Sequence, residues 1–343
     1  MKKIIYTILI GASLYSLVGC KKSVDEAKPS VSSRSEADDA SARSELDKVY
    51  DDIEKVYNSQ EYSDGSSLRT TGVILPCGSV TLNTKNFTIQ YNRVNCGSRV
   101  LSGSIDVTLL TAGVFSDPNA KLKIVYNNYK VLYHTKNQSI TYNGTTYVTN
   151  GPNGGTLLSL FNTAPKVVEH KVRGKLSLTF DSTGTGNNNV IREWNIFRKK
   201  TYTSNGTQTG ITLSVEGDTS IGNDTYIPGT YAKASEYGFS REGDKFVCNL
   251  STPFMWSNCG SSYSGPYTLK QGKVEYTVDL TTNPIASLGI TKGTWSATAG
   301  YRYDNPNSYS FDGSCNSNGY KLDFALKNSS GANVHTSSSF QVY

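Results

Sequence analysis

Between residues 167 and 180, apolar and polar side chains alternate almost without interruption. Val168, His170, Val172, Leu176, Leu178 and Phe180 fall on one parity, and Glu169, Lys171, Arg173, Lys175, Ser177 and Thr179 on the other. A repeat of two puts these sets on opposite faces of an extended strand, so this stretch excludes helix and demands a sheet with one face in a core. His170, on the apolar parity, reads as a core residue. A glycine- and asparagine-rich turn at 183–189 leads into a second run at 190–200, ending Arg198-Lys199-Lys200. Paired as a hairpin, the two runs bring Lys171 near Lys199. That concentrates positive charge at one strand end and makes an anion-binding candidate, with an ordinary solvated strand end as the alternative.

The same period governs most of the chain from Val73 onward. Phe87, Ile89 and Tyr91 alternate with polar residues, as do Leu101, Ile105, Val107 and Leu109, and Leu122, Ile124 and Tyr126. Asn143-Gly144, Asn205-Gly206 and Gln271-Gly272 each sit between such runs and read as two-residue hairpin turns. Roughly 15 to 18 strands follow, with the usual boundary error. The 23 Tyr against 11 Phe suit half-exposed pleated surfaces. The fold class is all-β: an antiparallel sandwich-like or extended sheet body with one short N-terminal helix.

The chain begins with Lys2 and Lys3, an apolar run 4–18, then Gly19 and Cys20. This is a secretory signal, and the cysteine at the cleavage point makes it resemble a bacterial lipoprotein signal with its lipobox. The resemblance implies cleavage after residue 19, lipid on Cys20, and attachment to a cell envelope. The expected site is the outer membrane, with its periplasmic and surface faces both open. An uncleaved anchor is the weaker alternative, since the run is short of the ~20 residues a spanning helix needs. Residues 20–44 read as a flexible tether, and 45–343 as the body. The body is led by a helix at 45–60, on which Leu46, Val49, Tyr50, Ile53, Val56 and Tyr57 form one stripe and Ser44 is the N-cap. Residues 20–67 carry 12 acidic and 7 basic side chains, and residues 68–343 carry 16 and 25. An acidic arm thus precedes a basic body whose charges are scattered rather than clustered.

Beyond Cys20, five cysteines remain, and an exported chain meets oxidising conditions. Cys77 and Cys96 bracket two successive strands, so a hairpin would bring them together. Each of Cys77 and Cys259 opens a Cys-Gly-Ser triplet, followed by an aromatic-rich strand and another cysteine. This echo pairs Cys259 with Cys315, leaves Cys248 free, and raises the prospect of two duplicated β units. The rival is a local Cys248–Cys259 bridge with Cys315 free. No Cys-x-x-Cys or Cys-x-x-His pair exists, so no metal site is assigned.

Taken together, several stretches resemble a family of uncharacterised β-rich bacterial lipoproteins. They are Cys20, the helix at 45–58, and the strand 88–92 leading to Cys96 and Arg99. Ser102-Gly103-Ser104-Ile105, Tyr126-Asn127-Asn128-Tyr129, Val148-Thr149-Asn150-Gly151, Cys259 and the stretch 311–315 follow. The similarity spans most of the mature chain. Where the family has Asp-Tyr-Gly before its last cysteine, this chain has Ser310-Phe311-Asp312-Gly313. The resemblance implies an exported, anchored, β-rich protein and brings no activity with it.

No nucleophile elbow, zinc helix, phosphate loop or dinucleotide fingerprint is present, so no catalytic residue and no cofactor is assigned. Glu275 and Asp279 share a strand face and are the one carboxylate pair offered for glycosidase chemistry. Trp194, Trp256 and Trp295 are the candidate ligand-binding aromatics, with core filling as the alternative for each. The expected function is non-catalytic binding of a glycan or another envelope component, an anionic ligand included, by a lipid-anchored protein. A structural or assembly lipoprotein is the alternative, and a carbohydrate-active enzyme the third reading. The expected partners are the membrane, through Cys20, and that ligand; nucleic acid is not expected. Solvent-facing aromatic rows across adjacent strands would favour binding, and their complete burial a scaffold.

Overall fold

The computed structural model describes residues 31–59, 75–133, 138–161, 166–182, 190–206, 210–218, 235–240, 243–257, 259, 268–281, 286, 288–305 and 308–342. The signal segment 1–19, Cys20, His134 and the turn at 183–189 lie outside these residues.

One helix, α1 (Val31–Tyr57), precedes β1 (Ser79–Asn83), β2 (Asn86–Cys96), β3 (Arg99–Leu109), β4 (Lys121–Tyr133) and β5 (Gln138–Asn150). The chain continues through β6 (Lys166–Ser182), β7 (Val190–Ser204), β8 (Ile211–Gly217), β9 (Glu236–Phe239) and β10 (Lys245–Ser257). It closes with β11 (Thr268–Asp279), β12 (Ile290–Asn305), β13 (Ser308–Phe311), β14 (Gly319–Asn328) and β15 (Asn333–Val342). All fifteen strands belong to one antiparallel sheet, whose main path runs in sequence order from β1 to β15. Of the two architectures expected, the extended sheet is the one formed. β9 pairs with β7 and β10, and β13 pairs with β12.

The period-two pattern dictates this arrangement. Along β6, Val168, His170, Val172, Leu176, Leu178 and Phe180 are buried, and β6 pairs with β7 in unbroken register with Lys171 opposite Lys199. The sheet bends where that regularity fails. Register shifts at Tyr91/Val94, Ser102/Ser104 and Tyr126/Tyr129 line up across β2, β3 and β4. Arg93, Gly103 and Asn128 there take φ of 51°, 90° and 49°. A row of bulges of this kind bends the strands together and increases their twist.

Two of the three expected hairpin turns are strand interior instead. Gly144 lies inside β5 with φ 128°, and a Cβ there would sit 2.5 Å from the Lys175 carbonyl oxygen. Gly272 lies inside β11, where a Cβ would come within 2.2 Å of the Phe254 ring. Both glycines serve close backbone approach rather than chain reversal. Asn205-Gly206 opens the connection between β7 and β8, but that connection spans 205–210 rather than two residues, and Asn205 N–H donates to the Gly210 carbonyl at 3.2 Å.

The helix is longer than expected. It starts at Val31, inside the stretch read as a tether, and ends at Tyr57; Ser44 is therefore helix interior and not an N-cap. Its stripe is as expected: Leu46, Val49, Tyr50, Ile53, Val56 and Tyr57 are all buried in the core shared with the sheet, and Ala42 joins them. Burial of each larger aliphatic side chain contributes about 1.5–3 kcal/mol. Once that stripe is docked, propagation through the Ala-, Ser- and Glu-containing turns upstream adds a hydrogen bond per residue without a new nucleation cost.

Cys77–Cys96 and Cys259–Cys315 are disulfides, with Cα separations of 5.5 and 5.6 Å. Cys248 is free and buried. The local Cys248–Cys259 bridge does not form.

Candidate functional site

The abundant tyrosines do not mainly mark wet faces. Tyr91, Tyr126, Tyr129, Tyr142 and Tyr276 are buried, and several point their hydroxyls at the polar side of the helix. Tyr129 donates to Glu45 at 2.6 Å, Tyr91 to Asp52 at 3.2 Å, and Tyr142 to the Ala42 carbonyl at 3.4 Å. A tyrosine lets an apolar sheet face carry a hydrogen-bond donor at its tip. The helix docks through such donors and through ion pairs. Arg99 of β3 pairs with Glu45, and Lys200 of β7 lies 2.6 Å from Asp47. The contrast between acidic arm and basic body is thus partly consumed in holding the helix to the sheet.

Glu236 on β9 is a buried ionic group. Arg43 Nε and Trp194 Nε1 each donate to its Oε2 at 2.9 Å, and Arg198 Nε donates to Oε1 at 2.8 Å. Burial alone would raise the Glu236 pKa, but Arg198 and Arg43, with the hydrogen bonds from Arg198 and Trp194, hold it below the ordinary carboxylate value. Every polar atom of this carboxylate is spoken for, so it is structural.

A small cavity of about 30 Å³ lies between helix and sheet, bordered by Tyr50, Asp51, Glu54, His170, Lys200 and Tyr202. A water needs ~10–15 Å³ on this measure, so the space suits water rather than an organic ligand. Burial lifts Asp51 and Glu54 to about 7 and lowers His170 to about 3. His170 is therefore neutral at physiological pH, and its 3.5 Å approach to Glu54 is not an ion pair.

The sequence-derived binding candidates do not form a surface. Trp194 and Trp256 are buried, at 1% and 7% exposure, and Trp194 is a donor to Glu236. Trp295 is half-buried and stacks on Tyr276 with ring centroids 4.0 Å apart. Lys171 and Lys199 face each other as expected, but Glu169 lies 3.8 and 3.9 Å from them and Lys199 also pairs with Glu216. Acidic neighbours balance that strand end. Glu275 is bonded to Lys273 at 2.6 Å, and Asp279 accepts from the Thr281 N–H at 3.0 Å. Four residues of strand separate these two carboxylates by about 13 Å along the backbone, beyond the ~6.5–9.5 Å of an inverting pair. Among the described residues no group of three or more His, Cys, Asp and Glu could hold a metal ion.

The exposed aromatic surface lies elsewhere, where β12, β13 and β15 converge. Tyr309 of β13 stacks on Phe340 of β15, with centroids 3.9 Å apart and planes at 11°. Tyr301 of β12 meets Phe340 at 5.3 Å and Phe311 at 5.8 Å, and Tyr303 meets Tyr309 at 5.1 Å. Phe311 is 58% and Tyr309 36% exposed, and the other three are half-buried. Arg302 and Asp304, both exposed, alternate with Tyr301 and Tyr303 along β12 and pair at 2.7 Å on the opposite strand face. The spacing Tyr301-x-Tyr303 and Tyr309-x-Phe311 is the sequence signal for this surface. It places each aromatic pair on one strand face, but the rings of β15 join it only through tertiary pairing.

No protein-family model matches the chain, and neither the curated proteins nor the solved structures yield a match. Among the described residues no helix is long and apolar enough to cross a membrane.

Proposed function

We propose that this protein is a lipid-anchored component of a bacterial cell envelope that binds a glycan without transforming it. Tyr301, Tyr303, Tyr309, Phe311 and Phe340 form the contact surface. The single observation that carries this reading is the contiguous five-ring cluster in which Phe311 is 58% and Tyr309 36% exposed. Large exposed apolar groups in contact with one another mark binding surfaces more often than isolated ones do. The axial C–H faces of sugar rings pack on such aromatic planes.

The lipid anchor and envelope location rest on the Lys2-Lys3, apolar run and Cys20 pattern and on the resemblance to β-rich lipoproteins. Cys20→Ala tests them: loss of detergent partitioning and of signal processing is expected, and unchanged partitioning with a shortened chain contradicts the anchor. A glycan array read together with a turnover screen tests the binding role, which requires retention of a glycan and no product. Burial of Trp194 and Trp256 favours the second reading, an assembly scaffold. That reading requires no retained glycan and loss of an envelope assembly when the chain is deleted.

A further inference from the structure

The sheet is open, and its two ends differ. β1 is five residues long, and Cys77 just before it is bridged to Cys96 at the end of β2. β15 is ten residues long and pairs only with β14 among the described residues. Outer edges expose unpaired backbone N–H and C=O groups, and proteins protect them with charges, prolines, bulges or short strands. β15 carries no Asp, Glu, Lys, Arg or Pro. Its register with β14 runs unshifted from Val342 to His335. Val334 and Val342 are 54% and 47% exposed.

We propose that the β15 edge pairs with the same edge of a second copy of this chain, antiparallel about a two-fold axis at Ser338. The residue pattern on β15 is what identifies the occupant. A two-fold axis perpendicular to a continuous sheet pairs residues on the same face. Centred on Ser338, it sets Val334 opposite the second copy's Val342 and Thr336 opposite its Phe340. On the other face, His335 meets Gln341 and Ser337 meets Ser339. Apolar residues therefore meet apolar or β-branched ones, polar residues meet polar ones, and no like charges oppose each other. Both exposed valines gain a covering partner. The seam is smaller than the ~800 Å² per partner of a standard interface, so the association is reversible and concentration-dependent in solution. Phe340 lies two residues from Val342 on the same strand face, so the two aromatic clusters would flank the seam. The dimer stands or falls independently of the glycan reading.

The test uses the full chain, expressed in bacterial cells and extracted in mild detergent. Ser338→Cys places thiols across the axis, within the ~4.4–6.8 Å Cα separation a disulfide bridges. A covalent dimer on non-reducing gels is expected, with none from Ser330→Cys, an exposed position in the β14–β15 turn. Sedimentation of the unsubstituted chain across a concentration series reads the same equilibrium. Val334→Lys with Val342→Lys sets like charges across the seam and is expected to weaken the dimer at least tenfold. Val334→Lys with Val342→Glu sets opposite charges and is expected to retain it. Cross-linking of Ser338→Cys no greater than that of Ser330→Cys overturns the proposal, as does a chain that stays monomeric throughout the series. Equal behaviour of the two charge variants overturns it too.

Discussion

Arg43 and Glu236 stand 193 residues apart in the chain and 2.9 Å apart in the fold. One belongs to the only α-helix among the described residues and the other to a four-residue strand, so this contact and the Arg198 bond on the same carboxylate tie the helix to the middle of the sheet. Removing one member of a buried pair leaves the other charged and unpartnered, at a cost of about 3–5 kcal/mol. Glu236→Ala is expected to lower unfolding stability by that amount in denaturant titrations at neutral pH. Arg43→Ala should cost less, because Arg198 still holds the carboxylate.

The cavity-facing acids give stability a pH dependence of identifiable sign. Asp51 and Glu54 titrate near 7 in the fold and near 4 when unfolded, so between these values the folded chain binds more protons. Stability from these two groups is full below the unfolded values and is lost as pH rises through about 7. His170, depressed to about 3, acts oppositely: its share is present above ~6.5 and is lost as pH falls toward 3. Two carboxyls outweigh one imidazole between about pH 4.5 and 6.5. Thermal melts of Asp51→Asn should therefore gain on the unsubstituted protein from pH 5 to pH 8. An equal difference at both pH values would contradict the buried titration.

The disulfides predict a mapping result. Peptides digested without reduction should link Cys77 to Cys96 and Cys259 to Cys315, the pairs whose Cα atoms lie 5.5 and 5.6 Å apart. Burial drives the Cys248 thiol up to about 12, so alkylation of native protein should leave it untouched, and denaturation should expose it. Opening the first bridge by Cys77→Ser with Cys96→Ser should cost about 3 kcal/mol in the chain-entropy account.

How far the sequence discloses all this depends on the range of the signal. β6 and β7 are legible down to the Lys171–Lys199 register, because alternation and a short connection specify a hairpin locally. Gly144 and Gly272 mislead, because a dipeptide that favours a turn also suits a mid-strand position where a carbonyl or a ring leaves no room for Cβ. The helix start is illegible because residues 31–44 lack the apolar stripe that marks 46–57. The tryptophans invite a binding reading by their size, whereas Trp194 is committed to Glu236. The aromatic cluster is the least legible: Tyr309 and Phe340 are neighbours only because β12, β13, β14 and β15 fold as they do.

The most direct test of the binding account is the affinity of the protein for the glycan retained on the array. It is measured by titration for the unsubstituted chain and for Tyr309→Ala with Phe311→Ala. Each ring contact of this kind is worth about 0.5–1.5 kcal/mol beyond its buried area. Loss of both should therefore weaken binding at least ~5-fold, while the melting temperature falls modestly, because the stack of Tyr309 on Phe340 and the contact of Phe311 with Tyr301 are lost. Affinity undiminished in that variant, or absent in the unsubstituted chain, would contradict the account.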